Sequence, residues 1–293
     1  MPCFDKIEVE GRVFFRPNEK MTKIHRFFIK AVCEFIFKTG GEYVFSNQHY
    51  KNRLNCVTKH RFNRFFYRTD IRHFFDSISC QEMTNIIWRL NPDGWKQTKE
   101  EIYLFLQKYF FHSDGGLVIG ANASPFLADL YAFYKLDLPL VKVCKKYQVT
   151  YTRFVDDLIF SSDDIIGKKK RKKIRSIIAD ANLRVNHGKS LVFDLKKQKT
   201  FQFFGVGIEY GGRVLTPRKI KRRIRGMLGV AGDMLDYIPY NVLHGNCALM
   251  REINDHFHEI STGETILHKK YLDLLNELRK EREKIALNIG VDF

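Results

Sequence analysis

The sequence predicts an α+β fold, on three observations. Short runs of β-branched, apolar and aromatic residues lie at 65–70, 150–161 and 201–214, which is the composition of strands. Between and beyond them, apolar residues recur at helical spacing over longer stretches. No internal repeat and no glycine-, serine- or proline-rich linker interrupts the chain, and 293 residues with 44% apolar content can bury a sizeable core.

In chain order, residues 21–38 place Ile24, Phe27, Phe28, Val32, Phe35 and Ile36 on one side of a helix and Lys23, Arg26 and Lys30 on the other. Residues 43–67 mix aromatics with Lys51, Arg53, Lys59, Arg61 and Arg64. A strand then ends on Asp70 and enters a tight turn through Phe74 and Phe75. Ser79 and Glu82 have capping-box spacing ahead of a helix carrying Met83, Ile86, Ile87 and Leu90. A glycine-punctuated loop from Gly115 to Gly120 runs into Ser124-Pro125, read as cap and first-turn proline of a helix to about residue 137. Two strands over 150–161 meet at a hairpin turn carrying Asp156 and Asp157. Asp163 and Asp164 precede a helix pattern through Ile165, Ile166, Ile174, Ile177 and Ile178, and helix capping accounts for them. Lys168 to Lys173 are six consecutive cations, either a solvated face or an electrostatic grip on RNA. A glycine-rich strand pair over 201–214 follows. Thr216-Pro217 then opens a helix with Ile220, Ile224, Met227 and Leu228 on one face and a ring of cations from Arg218 to Arg225 around the rest. A last amphipathic helix spans 264–287 (Ile266, Leu267, Tyr271, Leu274, Leu275, Leu278).

A formal charge of +17 and a pI near 9.6 call for a polyanionic partner, nucleic acid first, because neutralised phosphates release counterions. Neither a signal-peptide core nor an apolar run of membrane-spanning length is expected, so a membrane is not among the partners. The six cysteines are scattered without a CxxC pair, which argues against a zinc ribbon or disulfide framework and suits a reducing cytoplasm.

Adjacent carboxylates raise each other's pKa unless a cation offsets the charge. Held between apolar strands, Asp156 and Asp157 therefore suggest a divalent metal, although a solvated turn would carry the same pair. An acid at a strand end, a glycine loop opening a helix, and an acid pair on a hairpin follow the order of motifs A, B and C of the reverse transcriptase palm. The resemblance covers roughly residues 60–230. The chain looks most like the bacterial reverse transcriptases of retrons, defence systems and group II introns, whose motif C reads aromatic, any residue, Asp-Asp, as Phe154-Val155-Asp156-Asp157 does.

That resemblance implies a right-hand polymerase, with an N-terminal and fingers region over 1–64, a palm over 65–215 with an inserted fingers segment at about 80–115, and a small helical thumb over 216–293. It implies two magnesium ions, with Asp70 and Asp156 binding both, Asp157 assisting and the backbone carbonyl of Ile71 contributing. Two such ions about 4 Å apart serve an in-line displacement at phosphorus. Phe75, placed as the family's steric gate, would exclude a 2′-hydroxyl, core packing being the plainer account. Lys189 matches the motif D lysine that protonates departing pyrophosphate, and Gly120 is the motif B glycine. Arg72 would meet the triphosphate or template, or make a surface salt bridge. Phe203-Phe204-Gly205-Val206-Gly207 resembles motif E, the primer grip. Departures are Ile119 where the family commonly has glutamine, Ala128-Asp129 where retrons carry Ser-Asn, and Asn55 and His60 spaced one residue too far for the retron Asn-Ala-x-x-His element.

The expected activity is RNA-directed DNA synthesis from dNTPs on a dedicated structured non-coding RNA, with an RNA–DNA hybrid in the cleft, in a retron-like anti-phage system with an effector protein. Template-independent or protein-primed DNA synthesis, and a silent RNA-binding scaffold, are the alternatives. Three intact acids argue against the scaffold.

Overall fold

The computed structural model describes residues 4–9, 12–39, 43–44, 53–90, 96–113, 115–230, 240–257 and 262–289. The chain divides into two compact units, 1–194 and 195–293.

The first unit is built on an antiparallel sheet. Strand β3 (Phe65–Arg72) lies at its centre, between β5 (Asp157–Ser162) on one side and two short strands sharing the other: β7 (Leu191–Asp194) along Phe65–Arg68 and β6 (Arg184–Val185) along Ile71–Arg72. Strand β4 (Thr150–Phe154) pairs with β5 and forms the edge. Strand side chains alternate between faces, and cross-strand partners share one. Tyr67 opposite Phe160 and Phe160 opposite Tyr151 point to one side, with ring centroids 5.7 and 5.0 Å apart. Helices α5 (Ser124–Ala132), α6 (Leu138–Lys146) and α7 (Lys168–Asp180) cover that side, burying Leu127, Leu130, Leu140, Ile174, Ile177 and Ile178 in the same core. Arg68, Asp70 and Asp157 fall on the other face.

Further elements complete this unit: a hairpin of β1 (Phe4–Val9) and β2 (Arg12–Pro17), and helices α1 (Glu19–Thr39), α2 (Arg53–His60), α3 (Cys80–Leu90) and α4 (Lys99–Phe110). His60 of α2 is fully buried, with its ring nitrogens 2.6 Å from Ser161 Oγ and 2.7 Å from Thr152 Oγ1. Burial drives its pKa down to about 3, so the ring is neutral and clamps α2 to the β4–β5 hairpin. The second unit holds a three-stranded sheet of β8 (Thr200–Phe203), β9 (Val206–Glu209) and β10 (Val214–Leu215). Its helices α8 (Arg218–Val230), α9 (Tyr240–Phe257) and α10 (Thr262–Ile289) share a core of Ile224, Leu243, Met250, Leu267 and Tyr271.

Several local expectations need correction. The central strand does not end on Asp70 but runs on to Arg72, because β6 pairs with Ile71 and Arg72. Phe27 is 74% exposed, and His25, packed 4.7 Å from the Phe110 ring, takes its place on the buried face of α1. The Val32, Phe35, Ile36 and Leu278 side chains, and Lys51, lie outside the described residues. Ser79 Oγ accepts from Glu82 N–H, but the Glu82 carboxylate turns away to Lys135 and Tyr131, leaving the capping box half made. A complete box forms at Thr98 and Glu101 instead. Ser124 does not cap its helix; its hydroxyl donates to Val118 O at 2.6 Å and pins the glycine loop. Asp163 and Asp164 cap nothing, since α7 starts at Lys168 with Gly167 as its cap residue. Ile165 and Ile266 are exposed. The β1–β2 hairpin gives little sequence signal because charged residues dilute its alternation. Helix α9 is masked in the sequence by the low helix propensity of Asn241, His244, Gly245 and Asn246. Among the described residues no helix is long and apolar enough to cross a membrane.

Candidate active site

The central strand and the hairpin bring the three predicted acids to one place. Asp70 and Asp157 are direct cross-strand partners, and Ile71 N–H donates to Asp156 O at 3.0 Å across the hairpin turn. Asp156 sits in that turn, after Val155 at φ +57°. A β-branched residue in the left-handed region is strained and persists only where its surroundings enforce it. Asp70 is 6% exposed. Burial, and after it the charges of Asp70 and Asp157, hold the Asp156 carboxyl above its ordinary pKa, although its backbone and Lys189 act the other way.

Protein cations offset part of this charge. Lys189 Nζ lies 2.9 Å from Asp70 Oδ2, and that contact raises the lysine pKa. Asn186 holds the same aspartate twice, through its backbone N–H to Asp70 O at 2.8 Å and its side-chain amide to Oδ1 at 3.1 Å. Arg68 reaches across the sheet to both carboxylate oxygens of Asp157 at 2.9–3.1 Å. With two of the acids so engaged, no group of three acid, histidine or cysteine side chains among the described residues is arranged to hold a metal ion as it stands. The donor set nonetheless suits a hard divalent cation. It offers three carboxylates, one of them held against its charge by burial and by two like-charged neighbours.

The other predicted positions lie at the end of the central strand and in the turn after it, in the glycine loop and, for the motif E turn, in the second unit. Phe75 is half-buried, packs edge-on to Phe74 at 5.7 Å, and through its backbone carbonyl accepts from Leu117 N–H at 2.9 Å. The motif A turn is thereby tied to the glycine loop. Gly120 has φ +98°, and a Cβ there would sit 2.9 Å from Phe15 O. Gly116 has φ +78°, and a Cβ there would sit 2.6 Å from the Asp76 backbone. Both positions therefore exclude side chains. Arg72 is exposed at the strand end opposite Arg184. Phe204 (φ +51°) and Gly205 (φ +75°) form the turn between β8 and β9 in the second unit.

Sequence reasoning missed three supporting residues. Arg68 and Asn186 are ordinary polar residues until the sheet register places them beside Asp157 and Asp70. Arg153 is fully buried and donates to Asp137 Oδ1 and Oδ2 at 2.8–3.1 Å, to Asp129 Oδ1 at 2.6 Å and to Val155 O at 3.0 Å. Asp137 closes a π-helical turn (Phe133–Asp137) between α5 and α6, a local irregularity of the kind that often accompanies function. The guanidinium thus bolts the helical layer to the strained residue just before Asp156. The departure at Asp129, where retrons carry asparagine, supplies its second carboxylate. An alternating strand of Thr, Tyr, Thr, Arg and Phe offers no hint of this role.

Comparison with known proteins places the chain in a family. Residues 12–208 match the family model described as Reverse transcriptase (RNA-dependent DNA polymerase). The Escherichia coli Retron Ec73 reverse transcriptase is 24% identical over 94% of this chain and 87% of that protein. The Retron Ec83 reverse transcriptase of the same organism is 22% identical over 74% of this chain and 70% of that protein. Among solved structures, Candida albicans telomerase in complex with a telomeric RNA fragment superposes with a TM-score of 0.54 at 14% identity, covering 94% of this chain and 58% of that one. Apo telomerase from Candida tropicalis, truncated at its C-terminal domain, gives 0.53 at 13% identity over 73% and 54%. The chain spans little more than half the length of those telomerases, and the likeness to them is one of fold.

Proposed function

The chain belongs to the reverse transcriptase family, the RNA-dependent DNA polymerases, and we propose that it copies a dedicated structured non-coding RNA into DNA in a retron-like anti-phage system. The observation that carries this reading is the cross-strand pair Asp70–Asp157 with Asp156 in the adjoining turn, together with a glycine loop hydrogen-bonded to the turn that bears Phe75. Asp70, Asp156 and Asp157, with the Ile71 carbonyl, would hold two magnesium ions. Such ions supply charge stabilisation at the attacking and leaving oxygens. The protein's own part is positioning and electrostatics. Arg68 and Lys189 limit repulsion among the acids in the meantime. Lys189, exposed at the rim, has a raised pKa, so it is protonated at neutral pH and can donate to the departing pyrophosphate. In this reading the fingers are residues 1–64, the palm 65–215 and the thumb 216–293, and Arg72 and Gly120 adjoin the nucleotide. A cytoplasmic setting and an effector protein complete it.

The direct test is to purify the protein with its bound nucleic acid, add magnesium and dNTPs, and sequence both the RNA and any new DNA. DNA complementary to one co-purifying RNA is the expected result. DNA without a complementary RNA would favour template-independent synthesis and overturn this reading.

Phe75 supplies a second measurement. Removing its ring should open space beneath the sugar, so Phe75→Ala is expected to lower discrimination between dCTP and CTP by about 10- to 200-fold, the range a single packing difference in a pocket commands. Unchanged discrimination in a folded variant would return Phe75 to core packing.

A further inference from the structure

Helix α7 carries its charge where a helix least tolerates it. Lys168 to Lys173 occupy its first two turns, with no acid in the first turn. Cations there oppose the positive end of the helix dipole. A spacing of four residues sets Lys168 beside Lys172 and Lys169 beside Lys173, so like charges also repel along the surface. A merely solvated face would intersperse acids. The nearest, Asp163 and Asp164, precede the helix, and Asp180 closes its far end.

The apolar side of α7 is already committed. Ile174, Ile177 and Ile178 are buried against the sheet, Lys170 Nζ reaches Tyr147 O at 3.4 Å, and Arg171 lies over the Tyr67 ring at 5.9 Å. Lys168, Lys169, Lys172 and Lys173 remain exposed, without an ion pair among the described residues. The Lys170–Tyr147 contact also joins the start of α7 to the end of α6, where Lys142, Lys145 and Lys146 are exposed. The helices lie on the sheet face opposite Asp70 and Asp157. A helix diameter of about 10 Å plus the sheet exceeds the Debye length of ~8 Å at physiological salt. These lysines therefore act on something other than the phosphates at the acid cluster.

We propose that the outer faces of α6 and α7 form a second polyanion surface, on the back of the sheet, that docks a double-stranded segment of the RNA outside the template–primer cleft. This rests on the reading of the chain as an RNA-directed polymerase. A membrane surface fits less well, because α7 has no free apolar face to insert. Among the described residues the patch carries no exposed aromatic platform on which unpaired bases could stack, so its lysines meet backbone phosphates. A paired RNA presents these in fixed A-form geometry.

The test replaces Lys168, Lys169, Lys172 and Lys173 with glutamine, leaving Lys170 and Arg171 to hold the helix; a second variant replaces Lys142, Lys145 and Lys146. Probes are a fully paired RNA hairpin, a DNA hairpin of the same sequence, and a short RNA template annealed to a DNA primer for extension. Each variant is expected to bind the RNA hairpin at least tenfold more weakly at low salt. Its log–log salt slope should flatten by roughly 0.7 to 0.9 for every phosphate no longer neutralised, while the short primer is extended at the parental rate. Unchanged hairpin affinity and slope would make the surface a solvated face and overturn the proposal. Equal loss of short-primer extension would place the lysines on the template track and overturn it too. A loss confined to the DNA hairpin would overturn the assignment to RNA. Failure of the polymerase reading would show differently, as absent extension by the parent protein.

Discussion

Asp156→Asn is expected to reduce magnesium-dependent dNTP incorporation by about 10²- to 10³-fold, the scale on which removal of one charge-stabilising group acts in an active site, without destabilising the fold. Burial and two neighbouring carboxylates raise the pKa of Asp156 in the folded chain. The folded state therefore keeps this proton at pH values where the unfolded chain has released it. Stability falls as pH rises through that window, and the loss is complete above the folded value. Asparagine has no charge to desolvate, so the variant should melt at the same temperature as the parent or higher at pH 7. That advantage should vanish below the ordinary carboxylate value of 3.8. Magnesium should raise the melting temperature of the parent and leave the variant's almost unchanged. Primer extension and thermal melts at two pH values check all of this. A variant that extends primers normally, or one that melts well below the parent at pH 7, would remove Asp156 from the centre of the site.

The acids were legible in the sequence because each sits in or beside a run of apolar and aromatic residues whose strand propensity is a local signal. Gly120, whose place in the loop leaves no room for a Cβ, was legible for a related reason: backbone constraint shows as residue type. The groups that hold the acids in place were not. Arg68 serves Asp157 and Asn186 serves Asp70 through sheet register, over sequence separations of 89 and 116 residues. Local patterns carry no record of such pairings. The same limit explains Glu82 and Ser124, polar residues whose spacing suggests caps but which serve tertiary hydrogen bonds instead. It also explains His60, which fails the motif spacing yet is buried against both strands of the β4–β5 hairpin.

Arg153 should show the largest effect on stability. Arg153→Ala would leave Asp129 and Asp137 buried, at 2% and 1% exposure, without their cation. Breaking a buried pair from one side costs about 3–5 kcal/mol, a large part of the ~5–15 kcal/mol that holds a typical domain folded. The alanine variant is thus expected to be largely insoluble or to melt far below the parent. Loss of activity in it would then say nothing about positioning. The triple change Arg153→Met, Asp129→Asn, Asp137→Asn separates the two effects. It removes every buried charge of the network and fills a similar volume, and the amide carbonyl introduced at position 137 can still accept from Tyr151 OH, which donates to the Asp137 carboxylate in the parent. Neutral replacement of a buried ion network is often close to neutral in stability, so the triple variant should recover most of the lost melting temperature. It cannot recover the bond from the guanidinium to Val155 O, which helps hold that residue at its strained φ of +57° and thereby sets the backbone of Asp156. Its kcat for dNTP incorporation is expected to stay at least tenfold below the parent, with KM for the dNTP little changed and a higher magnesium concentration needed for half-maximal rate. A refolded triple variant with parental kcat would show that Arg153 serves the fold alone. Persistent instability would show that the volume, rather than the charge, of the guanidinium fills that layer.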